Sequence, residues 1–355
     1  MDLALVAHRV DAADGTGGYV FELLKRIAAE HKVTLYAASV GNGLPAGIEI
    51  VRVPAVRRPT YATILSFPSA FAAVRRRHDL VHAQGWVTSA ADVVTAHIVL
   101  KAWREAAGRA GVRTPWGERL FGSFVERREA RLLGETAREV IAPSRRAADD
   151  LARCYGRAAN VTVIPHGFDR AVPSADRTEV RRRLGLPPEA FVALYVGDPR
   201  KGLRTAAQAL DATEGAHLLV LSRSRPERGS GARRVLWAPT ALTLAEAHAA
   251  ADVLLHPSIY DTFGLVVAEA MAHGLPVVVS REAGVSDLIE HGRSGWVLER
   301  TDPQAAGAAL RQLASDPALR ARLAEGGRAV AARRRWDDVA RETLQVYRRA
   351  MERPR

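Results

Sequence analysis

Asp261 and Glu269 are set out as acid, seven residues, acid, around the start of a segment that reads as a buried helix, LVVAEAMAH. Asp261 and Thr262 can cap that helix near Phe263 or Gly264. The free N–H groups of its first turn, aided by the helix dipole, suit a phosphate. Gly264 lets a ligand approach the backbone closely. Glu269 lies among Val266, Val267, Ala268, Ala270 and Met271. A carboxylate in such company is costly to bury unless something hydrogen-bonds it, and a ribose diol would do so. Gly274 ends the helix, and LPVVV follows as a short buried strand of the kind found in parallel sheets.

Two further places could meet a phosphate. The strand FVALYVG runs into Asp198, Pro199, Arg200, Lys201 and Gly202, which sets a planar guanidinium fork and a compact point charge at a strand's carboxyl end. Alone, such a pair is more often a solvated loop; the later acid pair is what favours a function. Near the N-terminus, LALVAH is followed by Asp14, Gly15, Thr16, Gly17 and Gly18 and then by the helical pattern YVFELLKRIAAEH. Gly17 and Gly18 either open a helix N-terminus to a phosphate or form a flexible strand-to-helix turn. The G-x-G-x-x-G spacing is absent and no acid follows at a convincing distance, which counts against a dinucleotide oxidoreductase. His97 ends the run VVTAH, where it could donate a hydrogen bond to a sugar hydroxyl or serve as a structural histidine. His82 and His166 share that ambiguity. No aspartate pair or His/Glu cluster has metal-ligand spacing, so the expected reaction is metal-independent and needs no cofactor. Nothing resembles a nucleophile elbow.

The elements that must position these groups alternate short apolar strands with helical patterns. LALVA, VTLYA, LVHAQ, VVTAH, VIAPS and VTVIP come first, then VALYV, HLLVL, VLWA, DVLLH and PVVVS. That is the pattern of two open parallel sheets covered by helices, with ligands expected at the strands' carboxyl ends. A chain of 355 residues exceeds the size at which single cores stop growing, and Pro173, Ser174, Pro187 and Pro188 punctuate the expected break. The segment from Trp103 to Arg153 reads as long helix, rich in Arg and Glu with interleaved aromatics. Trp336 to Arg355 reads as an amphipathic helix with a basic tail.

The formal charge of +12, from 51 Lys plus Arg against 39 Asp plus Glu, implies an anionic partner or reflects an arginine-rich composition. Basic and aromatic residues together, Arg57, Arg58, Arg75, Arg76 and Arg77 with Tyr61, Phe67 and Phe71, suit an interfacial surface. No nucleic-acid reader motif is visible, so no nucleic-acid partner is expected. Lone Cys154 excludes a disulfide framework, and no apolar run reaches the roughly 20 residues of a membrane span. The expected setting is cytoplasmic, with peripheral contact at the inner face of an anionic membrane as an option.

Taken together, the residues resemble a retaining glycosyltransferase of family 4. The resemblance rests on GTGGY at 15–19, TAH at 95–97, IAPS at 141–144, VIPHGFD at 163–169, VGDPRKG at 196–202 and DTFGLVVAEAMAHGLPVV at 261–278. The approach HPSIYDTFG leans toward bacterial lipopolysaccharide-core type UDP-sugar transferases. The resemblance implies an α/β GT-B fold of two facing Rossmann-like doubly wound parallel-sheet domains with a cleft between them: an acceptor-side domain over 1–170, a donor-binding domain over 171–335, and a helix over 336–355 packing back on the first. It implies a nucleoside-diphosphate sugar as donor, a UDP-sugar first, and a hydroxyl of a glycan, lipid or small molecule as acceptor. Asp261 would hold hydroxyls of the donor sugar and Glu269 the ribose diol, while the amides of Phe263, Gly264 and Leu265 would hold phosphate. Arg200 and Lys201 would neutralise the diphosphate, Gly17 and Gly18 would close over the donor, and His97 would contact the sugar. Two departures stand out: the first acid of the pair is Asp261 where glutamate is usual, and Asp198 replaces a common cation, leaving the guanidinium to Arg200. A sugar-nucleotide epimerase and a non-catalytic nucleotide- or membrane-binding protein are the alternatives.

Overall fold

The computed structural model describes residues 1–12, 14–169, 175–224 and 234–353, so Pro173 and Ser174 lie outside the described residues. The chain divides into two compact units, Met1–His166 with Trp336–Arg355, and Gly167–Arg335.

The first unit runs β1 (Asp2–Val10), α1 (Gly15–Ile27), β2 (Lys32–Val40), β3 (Glu49–Arg52), α2 (Thr60–Val74), β4 (Leu80–Gln84), β5 (Val93–Thr95), α3 (Leu100–Arg109), α4 (Trp116–Arg131), β6 (Glu139–Ala142), α5 (Arg145–Tyr155) and β7 (Val161–Val163). Its seven strands form one sheet in the order β3-β2-β1-β4-β5-β6-β7, and every pairing is parallel. The stretch expected as one long helix is three: a turn over 110–115 separates α3 from α4, and the buried strand β6 separates α4 from α5. A final helix, α12 (Trp336–Glu352), belongs to this unit. Its Tyr347 hydroxyl lies 2.7 Å from Nδ1 of fully buried His82 on β4, and His82 Nε2 lies 2.8 Å from Thr95 Oγ1 on β5. Both rings of that pair have no exposed surface.

The second unit runs α6 (Arg177–Leu184), β8 (Val192–Val196), α7 (Leu203–Ala209), β9 (His217–Leu221), β10 (Val235–Trp237), α8 (Leu244–Ala250), β11 (Val253–His256), α9 (Leu265–His273), β12 (Val277–Ser280), β13 (Trp296–Leu298), α10 (Pro303–Ser315) and α11 (Pro317–Ala331). Its parallel sheet has the order β10-β9-β8-β11-β12-β13. Alternation along each strand feeds two apolar layers, as a sheet covered on both faces requires. Val192 and Leu194 of β8 join Phe263, Val267, Ala270 and Met271 on one side. Ala193 and Tyr195 join Leu203 and Ala206 of α7 and Leu310 and Leu313 of α10 on the other.

In both sheets the strand order reverses beside the unit's first strand, between β1 and β4 and between β8 and β11. Crevices outside the carboxyl ends of strands at such switch points are where open α/β sheets bind ligands. The loops leaving β8 and β11 carry Asp198 to Lys201 and Pro257 to Asp261.

Candidate functional site

The site of the second unit is assembled by a close approach of those two loops. Lys201 closes a 3-10 turn, Pro199–Lys201, that Asp198 initiates by accepting the Arg200 N–H at 2.9 Å. Gly202 follows it against the opposite loop: a Cβ there would stand 2.2 Å from the Pro257 carbonyl oxygen. The approach is sealed by the Ile259 N–H, which donates to the Lys201 carbonyl at 2.7 Å. Beyond Ile259, Ser280 and Thr301 hydroxyls donate to the Ser258 carbonyl. The backbone of Asp261 is fixed by Asp261 N–H to the Glu282 carbonyl and Gly284 N–H to the Asp261 carbonyl, both 3.0 Å.

This scaffold sets Lys201 Nζ 3.0 Å from Asp261 Oδ2. The Phe263 N–H donates to Asp261 Oδ1 at 3.3 Å. His256, at the end of β11, places Nε2 3.6 Å from the same Oδ2. Burial would push the Asp261 carboxyl up, but the Lys201 ammonium and the His256 ring outweigh it and hold the group well below its ordinary value of 3.8. Asp261 is therefore ionised throughout the neutral range.

The helix after it differs from the expected start. α9 begins at Leu265 with Gly264 as its N-cap, at φ 99° and ψ 62°, and no side chain caps it. The reason is the Asp261 geometry: its carboxylate is spent on Lys201 and on the Phe263 N–H, one step too early to cap α9, and left-handed Gly264 then turns the chain into the helix. A helix start without a side-chain cap is of the kind that suits an anion. Glu269, one turn further along α9, is only 5% exposed. Thr262 and Phe263 are buried beside it.

Arg200 takes a different position from the one expected. Its Nε lies 3.0 Å and its Nη2 2.8 Å from Asp198 Oδ2, so the guanidinium is folded back on the acid of its own turn. Burial pushes the Asp198 carboxyl up, and its bonds from Arg200 reverse this and hold it below its usual value. Lys201, without such a tie to Asp198, is the cation that reaches Asp261.

In the first unit, Gly17 and Gly18 lie inside the opening turn of α1 and not in a loop ahead of it, since that helix starts at Gly15. Gly17 is required there, for a Cβ would meet the Asp11 backbone at 2.6 Å. His97 follows β5, and its Nε2 lies 2.8 Å from Gln84 Oε1 of β4, so that nitrogen donates. Burial lowers His97 to about 3, which keeps the ring neutral. His82 is structural, bonded through both nitrogens as described above. His166 stacks on Trp336 of α12, ring centroids 5.9 Å apart.

The sequence reading gave no role to His256, to Gly202 or to Tyr195, whose hydroxyl donates to the Asp198 carbonyl at 2.6 Å. His256 sat at a strand's carboxyl end, the same signal that singled out His97. A separate cavity of about 400 Å³ opens at the amino ends of β11 and β12, lined by His248, Asp252, His273, Arg320 and small residues. It has neither the acid pair nor the uncapped helix start. Among the described residues no group of three or more His, Cys, Asp or Glu is placed to hold a metal ion.

Known proteins resemble this chain in sequence and fold. Residues 13–172 match the family model described as Glycosyltransferase Family 4, and residues 234–330 match Glycosyl transferases group 1. The chain belongs to the GT-B glycosyltransferases of family 4 type. This glycosyltransferase is 27% identical over 401 residues to the D-inositol 3-phosphate glycosyltransferase of Streptomyces bingchenggensis, covering 96% of this chain and 85% of that protein. It superimposes on WaaG, a glycosyltransferase involved in lipopolysaccharide biosynthesis, with a TM-score of 0.78 at 19% identity, covering 97% and 99% of the two chains. Anabaena HepE, in complex with UDP and glucose, gives a TM-score of 0.75 at 19% identity over 98% and 99%. These two structural likenesses establish the fold.

Proposed function

We propose that this glycosyltransferase moves a sugar from a UDP-sugar to a hydroxyl of a glycan, lipid or small molecule, with retention at the anomeric carbon and without a metal. The observation that carries the reading is the Lys201–Asp261 pair at 3.0 Å, set at a topological switch point beside the uncapped start of α9. The α9 N–H groups and Lys201 meet the diphosphate, and Glu269 takes the ribose diol. Asp261 takes hydroxyls of the sugar. Arg200 adds charge from the same turn once it swings off Asp198. In the first unit, neutral His97 is a hydrogen-bonding group for a sugar hydroxyl, and Gly17 and Gly18 offer the α1 opening turn. Charge develops on the departing diphosphate as the C1–O bond breaks, and fixed cations and helix N–H groups aimed there lower the barrier most. The acceptor oxygen bonds to C1 on the same face, and its proton passes to the leaving phosphate oxygen. That route asks for no protein base. HepE was captured with UDP, which supports the choice of nucleotide.

The test is a metal-free thermal-melt panel with UDP, GDP, ADP and dTDP, followed by transfer assays from UDP-sugars to an acceptor set that includes D-inositol 3-phosphate. A selective UDP shift that Glu269→Ala abolishes supports the reading. A response to another nucleotide alone, or no response, overturns it.

We also propose that this enzyme works at an anionic membrane surface. Trp116, Leu120 and Phe124 follow one another at helical spacing on α4 and are 64%, 66% and 46% exposed. Arg119, Arg127, Arg128 and Arg131 share the exposed face, and Arg128 lies over the Phe124 ring. Apolar anchors rimmed by arginine suit an interface of anionic headgroups. Among the described residues, no helix is long and apolar enough to cross a membrane.

A further inference from the structure

His256 is 4% exposed, and neither ring nitrogen has a hydrogen-bond partner. An unsatisfied buried imidazole is costly, on the order of 1–3 kcal/mol, and native structures rarely keep one without use. Its Nε2 faces two things: Asp261 Oδ2 at 3.6 Å, and the underside of Gly264, where a Cβ would stand 3.7 Å away. The ring thus lies beneath the turn that links Asp261 to α9. Asp261 Oδ2 is already taken by Lys201 Nζ at 3.0 Å, and His256 stands just beyond hydrogen-bond reach of the same oxygen.

We propose that His256 is a positioning residue that takes over Asp261 when Lys201 leaves it for the donor's diphosphate. The inference rests on the donor reading above. One ammonium cannot keep its best geometry to both a carboxylate and a diphosphate. As Lys201 turns, Oδ2 loses its partner in a buried setting, and the His256 Nε2–H closes the remaining gap. Contacts that are long in a free enzyme and tighten with substrate are the common pattern in catalytic sites. Asp261 is then held in one orientation for the sugar hydroxyls whether or not Lys201 is engaged. The arrangement also accounts for the Asp at this position: its short side chain keeps Oδ2 over the strand end, within range of both groups.

Three variants at one position separate this role from packing. His256→Gln keeps a donor near Nε2, His256→Asn moves it to the Nδ1 position, and His256→Phe fills the space without a donor. With wild-type UDP binding and transfer measured alongside, the Phe and Asn variants should lose about tenfold or more in kcat, since misplacing a reacting partner by ~1 Å can cost on the order of a hundredfold. Their UDP affinity should change little, and Gln should recover most of the kcat. In 15N-histidine-labelled wild-type protein, the His256 resonances, assigned by their loss in His256→Gln, should move when UDP saturates the site. That measurement needs no variant to be active. Transfer by the wild type with all three variants within twofold of it, or an unmoved His256 signal at saturating UDP, overturns the takeover alone. A wild type that binds no UDP overturns the donor reading and the takeover with it.

Discussion

Lys201 and Asp261 stand 3.0 Å apart although they leave different strands, β8 and β11, and their pairing is imposed by backbone before side chains choose it. The Lys201 carbonyl receives the Ile259 N–H, and the Lys201 ammonium then reaches the acid two residues further on. Removing the cation leaves a half-buried carboxylate without its counter-charge and removes charge opposite the leaving group. Lys201→Ala should therefore lower kcat by about a hundredfold or more, the usual loss when one fixed donor to a developing anion is deleted. Arg200→Ala should cost less, because that guanidinium is already held by Asp198. Steady-state kinetics on both variants checks the order. An equal or larger loss at Arg200 would show that Arg200 and not Lys201 carries the diphosphate.

Asp261 also gives the site a pH limit. Its folded carboxyl sits below its ordinary value of 3.8, so the stability it lends is fully present above that value and is lost as pH falls through the lower folded one. Melting curves of wild type and Asp261→Asn should differ by a constant amount from pH 5 to 8 and converge only in strong acid.

Gly202 is the residue that lets the two loops meet. A Cβ 2.2 Å from the Pro257 carbonyl cannot be absorbed by a flexible side chain, since the obstacle is backbone. Gly202→Ala should destabilise the second unit by about 1–3 kcal/mol, as overpacking does, and separate Lys201 from Asp261. Differential scanning calorimetry and the UDP-induced melting shift read both effects. A stable variant with an undiminished shift would show that the approach is not needed.

Much of this was legible in the chain because parallel strands buried on both faces are continuous apolar runs. LVHAQ and PVVVS read as strands for that reason. β3 did not, because EIVR is an edge strand with mostly exposed side chains, and three-residue β13 is too short to show a period. The spacing of Asp261 and Glu269 is read directly from the chain. The start of α9 was misplaced because a left-handed glycine, not a side-chain cap, begins it. The fold-back of Arg200 depends on the 3-10 turn, which residue type does not announce. His256 was passed over because burial without a partner is a property of three dimensions.

A fully buried bond helps to fasten α12 to the rest of the first unit. Tyr347→Phe removes the hydroxyl that lies 2.7 Å from His82 Nδ1 and leaves that nitrogen unsatisfied in a site with no water access. The cost should be about 1–3 kcal/mol. Burial lowers His82 to about 3, so the neutral ring cannot escape the loss by charging near pH 7. Chemical denaturation should show the loss, and limited proteolysis should show earlier cleavage near residue 336. An unchanged midpoint would mean that the remaining contacts of α12 hold the helix without the Tyr347 hydroxyl.

The exposed face of α4 makes a separable prediction about membranes. Trp116→Ser, Leu120→Ser and Phe124→Ser together should abolish flotation with vesicles of anionic phospholipid and leave transfer to a water-soluble acceptor within about twofold, as surface changes usually do. Vesicles of phosphatidylcholine alone should not bind the wild type. Equal binding to both vesicle types would remove the role given to the arginines.

Glu129 provides a pH signature in the first unit that is independent of the donor site. On α4 and 3% exposed, it accepts the Leu100 N–H at 2.7 Å and the Tyr155 hydroxyl at 2.5 Å. Burial raises its carboxyl from 4.5 to about 7, against the lowering effect of those two bonds. A raised folded value means the native state holds the proton more tightly than the unfolded chain. Stability is therefore fully present below 4.5 and is lost as pH rises through about 7. The shift corresponds to about 3 kcal/mol at most. Glu129→Gln keeps an oxygen to accept both bonds and cannot ionise, so it should match wild type near pH 4.5 and melt higher above pH 7. The difference should grow across the interval between those values and then level off. A gap between the two melting curves that stays constant with pH would mean that Glu129 titrates normally, with its burial offset by the Tyr155 and Leu100 hydrogen bonds.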